Sequence, residues 1–187
     1  MGTDISVILS LPVPVRVRQD KGSPLTRTIE TTIAGFGAIL DKKFVGKIRG
    51  GEGGAKLILD PDLQEHSDLP CDTGSDLGAL RSRFPDLDIS SLGEEWYTNE
   101  SAYAVDDAAV AASARSVRQR LERLVNNVVK DGVPETKKDI VVVTHGVFMK
   151  SLAEGDTLDL PKAGWKVCTV TPRDGTDGTV RVLVSNE

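Results

Sequence analysis

Two histidines occur in the 187 residues, His66 and His145, and the second is set for chemistry. It directly follows the apolar run from Asp139 to Thr144 and precedes Gly146 and a helix start. A run of this kind reads as a strand buried on both faces. In open α/β sheets, ligands bind outside the carboxyl ends of the strands. A helix N-terminus at that point offers unpaired N–H groups and the positive end of a dipole, both suited to phosphate. Thr144 adds a hydroxyl. The chemistry expected at His145 is therefore phosphate binding.

Two further residues carry the functional groups that such a site needs. Arg27 lies one turn into a helix that Ser23-Pro24 is predicted to open, with Ser23 as N-cap and proline at the first helical position. Its fork of donors matches phosphate oxygens bidentately; position alone equally fits a solvated arginine on an exposed face. Glu65 stands between Gln64 and His66 in a polar stretch. A carboxyl group there is either a general acid or a surface charge, and nothing local decides between them. His66 is a weak alternative nucleophile, because adjacent side chains on one backbone point in different directions.

The elements that must hold these groups follow from pattern. Ile5 to Leu9 reads as a short strand, and Leu11 to Gly22, interrupted by Pro12 and Pro14, as loop or irregular edge. Leu25, Ile29, Ile33, Phe36 and Leu40 recur at helical spacing. Asp41 to Lys56 is expected to be an exposed loop. Its glycine run, Gly50 to Gly54, lacks the Gly-x4-Gly-Lys-Ser/Thr spacing of a phosphate loop and reads as flexible linker. Lys56 to Leu59 is a strand closed by Asp60-Pro61. Leu63 to Ser75 is expected at the surface, and Ser75 to cap a helix running through Phe84. Trp96 and Tyr97 are expected to pack down within the loop region from Pro85 to Asn99. Asp106 to Lys130 is the longest helix, with Val110, Val117, Leu121, Leu124 and Val128 on one face, ended by Gly132 and Pro134. Phe148 to Ala153 resumes as helix. Trp165 to Val170 and Thr179 to Val184 alternate and are expected to join as a hairpin.

Composition narrows the function classes. Hydrophobic content is 39%, charged content 27% and aromatic content 4%, so the core rests on Val, Leu, Ile and Ala. Net charge is −5 with a pI of about 5.2, which argues against nucleic acid or a membrane surface as partner. Cys71 and Cys168 form neither a metal-ligand spacing nor a disulfide framework, and they read as reduced thiols of a cytoplasmic protein. No apolar run is long enough to span a bilayer, and no basic region precedes the Ile5 to Leu11 stretch, so no secretory signal is expected. Met1-Gly2 with Ser6 matches the short myristoylation pattern.

Taken together, three segments resemble the histidine phosphatase superfamily, in its phosphoglycerate-mutase-like branch. They are Ser23-Pro24-Leu25-Thr26-Arg27-Thr28, Leu63-Gln64-Glu65 and Val143-Thr144-His145-Gly146. The stretch from Leu63 to Ser75, with Phe84-Pro85-Asp86-Leu87-Asp88 and Gly164-Trp165, is similar to fungal members of that branch. The likeness spans about Ser23 to Trp165. It implies an α/β fold, a three-layer αβα sandwich with a mostly parallel sheet, as a single domain over residues 1–187. It also implies hydrolysis through a phosphohistidine: Arg27 clamps phosphate, Glu65 protonates the leaving alkoxide, and His145 is the second histidine on the phosphoryl oxygens. Ser23, Thr144 and Gly146 complete the expected phosphate-binding set. Neither metal nor cofactor is implied, and the partner is a small phosphorylated metabolite or inorganic phosphate.

The chain departs from that family at its start. The family's nucleophile lies in an Arg-His-Gly or Arg-His-Ala motif after the first strand, and no histidine here precedes His66. The family also has a strand running almost straight into Ser-Pro-Leu, where this chain has the irregular-looking segment ending at Gly22. The expected sheet is thus one that lacks its first, nucleophile-bearing strand, with residues 1–22 departing from the family. A truncated or mis-spliced transcript produces this pattern, and a 5′ transcript map tests it. Three outcomes follow for function: a phosphatase whose nucleophile is absent from this chain, a non-catalytic phosphate-binding or interaction protein, or a fragment. Mutase activity is disfavoured, since nothing marks a lid for a bisphosphate.

Overall fold

A computed structural model describes residues 4–9, 19–45, 54–98, 100–130, 140–153, 165–172 and 180–184. The fold is α/β. Six strands form one sheet: β1 (Asp4–Leu9), β2 (Gln19–Gly22), β3 (Lys56–Leu59), β4 (Ile140–His145), β5 (Trp165–Pro172) and β6 (Val180–Val184), in the order β3-β2-β4-β1-β5-β6. The sheet is mixed. β2 runs parallel to both β3 and β4, and β1 parallel to β5, whereas β1 is antiparallel to β4 and β6 antiparallel to β5. The β5–β6 pairing is the hairpin expected from the alternating pattern; its connection lies outside the described residues.

The expectation of an irregular edge before Gly22 is corrected here. Gln19–Gly22 is an interior strand, hydrogen-bonded between β3 and β4. The sequence Gln-Asp-Lys-Gly lacks the apolar alternation that signals a strand, and tertiary pairing overrides that weak local preference. β4 behaves as its composition demands: Ile140, Val141, Val142, Val143, Thr144 and His145 are all buried. It has a partner on each side, so the neighbours of the expected missing strand do not lack pairing.

Among the described residues five α-helices accompany the sheet: α1 (Thr26–Phe36), α2 (Lys42–Val45), α3 (Leu77–Arg83), α4 (Asp107–Lys130) and α5 (Gly146–Leu152). α1 starts later than Ser23-Pro24 suggests; Leu25 is its N-cap, and no side chain caps it. α3 is capped by Asp76, whose carboxylate accepts from the Ala79 N–H at 2.9 Å, and not by Ser75. α4 keeps its expected bounds within a residue, and Asp106 caps it through the Ala109 N–H at 2.8 Å. The expected stops at Gly132 and Pro134 lie outside the described residues.

Asp41 to Lys56 is not wholly an exposed loop. α2 lies within it, Leu40 and Ala55 form an isolated parallel bridge, and Leu40, Asp41 and Ala55 are buried. The end of the glycine run has a packing role, because a Cβ on Gly54 would come within 2.6 Å of the Ile39 carbonyl oxygen. Residues 46–53 lie outside the described set.

Two hydrophobic clusters hold these elements. One joins Leu63, Val117 and Leu121 of α4, Ile140 and Val142 of β4, Phe148, Met149 and Leu152 of α5, and Cys168 of β5. The other joins Leu25, Ile29 of α1, Leu57 and Leu59 of β3, Leu80 of α3, and Leu87, Ile89, Leu92 and Trp96. Trp96 is buried, in line with the sequence expectation. Arg118 of α4 donates to the carbonyls of Ser151 and Leu152, which satisfies the otherwise open carboxyl end of α5. Among the described residues no helix is long and apolar enough to cross a membrane.

Candidate functional site

β2 delivers Ser23 at its carboxyl end, beside the carboxyl end of β4: the Ser23 N–H donates to the Val143 carbonyl at 3.0 Å. That adjacency brings the start of α1 over His145. Thr144 and His145 are consecutive on a strand and so point to opposite faces. The Thr144 hydroxyl donates to the Leu63 carbonyl at 2.6 Å, and His145 turns towards Ser23 and α1. Thr144 therefore spends its proton on the chain segment that leads to Glu65 and does not face the imidazole.

His145 is fully buried, with both ring nitrogens engaged. Arg27 Nη2 lies 2.9 Å from Nδ1, and an arginine can only donate, so Nδ1 accepts and the ring proton sits on Nε2. Nε2 is 3.0 Å from the Ser23 hydroxyl oxygen and 3.3 Å from that of Thr28, and it donates to this pair. Burial, reinforced by the Arg27 charge, pushes the imidazole pKa down to about 3. The ring is neutral at physiological pH. Ser23, expected as a helix cap, is instead a partner of the histidine; its oxygen also receives the Leu25 N–H at 3.4 Å.

Arg27 is only partly buried and is gripped by the loop that follows Glu65. Its Nη2 donates to Asp72 Oδ1 at 2.8 Å, and its Nη1 to the Cys71 carbonyl. Asp72 is 5% exposed. The loop is seated by Gly74, whose Cα packs so closely on the Trp96 indole that no side chain fits there. The surface-loop expectation for Leu63 to Ser75 fails at the residues that matter: Leu63, Gln64 and Asp72 are buried. The Gln64 side chain ties this stretch to the Trp96 carbonyl at 3.2 Å.

Glu65 sits within the electrostatic field of Asp72 and Arg27 and receives the backbone N–H groups of Val147 and Phe148 in the first turn of α5. Burial first, then repulsion by Asp72, raises its pKa to about 7, against the opposing pull of those N–H groups and of Arg27. A carboxyl group that holds a proton near neutrality is suited to donate it. Gly146, directly ahead of those two donors, is half-buried at the start of α5. The first-turn amides expected to meet phosphate thus already hold the Glu65 carboxyl.

Arg27, Glu65 and His145, drawn from three distant parts of the chain, converge with Ser23, Thr28 and Asp72. Asp72 and Thr28 were not singled out from sequence. Thr28 is one residue from Arg27 on a buried helix face, and a helical wheel would have flagged it; nothing local marks Asp72 among the acidic residues of its loop. His66 faces elsewhere. Its ring stacks on Phe148 at 6.1 Å and its Nδ1 lies 3.1 Å from the Ala104 carbonyl, to which it donates. Among the described residues no group of three or more His, Cys, Asp or Glu side chains is disposed to hold a metal ion. Comparison with known proteins returned no match, whether to a protein family, a curated protein or a solved structure.

Proposed function

We propose that the chain is a histidine-phosphatase-type domain that binds a small phosphorylated metabolite or inorganic phosphate. In this reading Arg27 is the phosphate clamp, His145 the histidine behind it and Glu65 the proton-bearing acid. The observation that carries the reading is the convergence of these three groups, with Arg27 Nη2 at 2.9 Å from His145 and Glu65 holding a proton to about pH 7. Transfer of a phosphoryl group needs donors on its oxygens and an acid for the leaving group, and Arg27 and Glu65 are groups of those two kinds. Two features of the fold add support. β2 runs directly into Ser23-Pro24-Leu25, as the resemblance requires. α1 meets His145 while α4 and α5 share a cluster with the alternate residues Ile140 and Val142, which is the side-chain division a three-layer αβα sandwich needs.

The nucleophile is a separate matter. β1 occupies the central position beside β4, but antiparallel, so that Asp4 at its amino end pairs with His145. A nucleophile carried on a carboxyl-end loop has no counterpart in that arrangement. His66 is turned to Ala104 and Phe148, and the His145 lone pair is covered by Arg27. We therefore expect binding with negligible turnover: a thermal upshift with phosphate or vanadate, and no hydrolysis of p-nitrophenyl phosphate. Robust turnover abolished by His66→Ala overturns the non-catalytic part, and the absence of any shift overturns the binding part.

A further inference from the structure

Arg27 is the cation on which the proposed phosphate site depends, and its Nη2 carries two hydrogens. One goes to Asp72 Oδ1 at 2.8 Å and the other to His145 Nδ1 at 2.9 Å. A phosphoryl oxygen reaches that nitrogen only by displacing one of these acceptors. His145 is the harder to move. It is fully buried at the end of β4, and its other nitrogen is held by Ser23 and Thr28. Asp72 stands in a small turn that is bonded to itself: the Asp72 N–H donates to the Leu69 carbonyl at 2.8 Å, the Thr73 hydroxyl to the same carbonyl at 3.4 Å, and the Leu69 N–H to the Ser67 hydroxyl at 3.2 Å. Asp68, Leu69, Pro70, Cys71 and Thr73 around it are exposed. Such a turn can shift as a unit without losing its own hydrogen bonds.

We propose that Asp72 is a resident anion that competes with phosphate for Arg27, so that a ligand is admitted only if it outbids a carboxylate for the guanidinium. The proposal rests on the phosphate-binding reading and sets its selectivity. A dianionic phosphoryl group makes the stronger charge-assisted pair and displaces Asp72, whereas a monocarboxylate offers Arg27 nothing beyond what it has. The Cys71 carbonyl leaves Nη1 in the same movement, since both acceptors belong to one turn.

The test is calorimetric titration of the intact chain with inorganic phosphate, at one pH and ionic strength, alongside Asp72→Asn and Arg27→Ala. Asparagine keeps the shape and a carbonyl acceptor but removes the charge, so phosphate affinity is expected to rise about tenfold, the equivalent of about 1.4 kcal/mol. Acetate, too weak to bind the unmutated chain, is expected to become a measurable ligand of Asp72→Asn. Arg27→Ala is expected to abolish binding. If Asp72→Asn binds phosphate no better than the unmutated chain while Arg27→Ala still abolishes binding, the competition is wrong and the phosphate reading stands. If Arg27→Ala changes nothing, or no form of the chain binds phosphate, the reading fails and takes the competition with it. The unmutated chain supplies a second measurement that does not depend on the variants folding. Amide resonances of Cys71, Asp72 and Thr73 are expected to move with phosphate along the calorimetric saturation curve, and their standing still while Gly146 and Val147 move would overturn the proposal.

Discussion

Two arginine–aspartate pairs in this molecule share a length and a burial and differ in the charges around them. Arg120 meets Asp60, and Arg27 meets Asp72, each at 2.8 Å, and both aspartates are 5% exposed. Asp60 is saturated. It accepts from Lys21 at 3.3 Å, from Arg120 Nε at 2.9 Å and Nη2 at 2.8 Å, and from the Asp62 N–H at 3.2 Å. Arg120 also pairs with Asp62 at 2.8 Å, so two cations face two anions. The Arg27 cluster sets one cation against the carboxyl groups of Asp72 and Glu65, beside a histidine that is neutral at physiological pH. The balanced set ties β2 and α4 to the turn after β3. In the unbalanced set burial, with the repulsion of Asp72, moves a proton onto Glu65, and burial beside the Arg27 charge keeps one off His145, the kind of perturbation that accompanies chemistry.

The sharpest way to break this contrast is to remove each aspartate. Lys21 is 5% exposed, and burial already pulls its pKa down against the opposing effect of Asp60. Asp60→Ala strands that ammonium and is expected to cost about 3–5 kcal/mol, the usual penalty for breaking a buried pair from one side. Asp72→Ala is expected to cost clearly less, because Arg27 is partly exposed and keeps Cys71 and His145 as acceptors. Urea denaturation of both variants decides it; equal losses would mean that the two clusters are the same kind of object.

The two clusters are unequally legible in the sequence, for a physical reason. His145 was legible because a β-branched run ending in His-Gly fixes burial, strand direction and a helix start at once. Arg27 and Glu65 were legible only through the motifs they share with a known superfamily, since a helix-borne arginine and a loop glutamate are ordinary surface residues by position. β2 and the Lys21–Asp60–Arg120 network were missed together. Lys21 looks like a surface residue until β3 and β4 close on either side of it, and that closure is long-range pairing that no local window contains. Ser23 was placed at the right spot with the wrong partner, because a serine before a proline advertises a helix cap as readily as a histidine contact.

The second contrast is in pH. His145 titrates at about 3 when folded and at 6.5 when unperturbed, so only the unfolded chain binds its proton between those values, and stability falls as the pH is lowered from 6.5 towards 3. Glu65 titrates at about 7 folded against 4.5 unperturbed, so its contribution is full below 4.5 and is lost as the pH rises towards 7. The two slopes, each at most about 1.4 kcal/mol per pH unit, oppose one another between 4.5 and 6.5. The cluster is expected to leave stability flat in that window and to lower it on either side. Glu65→Gln removes one slope, so its stability is expected to climb steadily from about pH 3 to 6.5. Urea midpoints collected across this range check it, and coincident curves for the two proteins would show that Glu65 does not carry the raised pKa.

The smallest effect comes from a pair shorter than either of those two arginine–aspartate pairs. Arg83 of α3 lies 2.6 Å from Glu30 of α1, yet their side chains are 58% and 50% exposed. Water and salt screen such a pair, and holding two long side chains still offsets most of the attraction. Arg83→Ala is expected to cost less than about 1 kcal/mol, part of it from the lost contact with the Phe84 ring, over which the guanidinium sits at 5.9 Å. Repeating the urea titration in 1 M salt separates the two: the ionic part vanishes and the ring contact persists. A loss as large as that of Asp60→Ala would mean that distance, and not burial and charge balance, ranks the ion pairs of this fold.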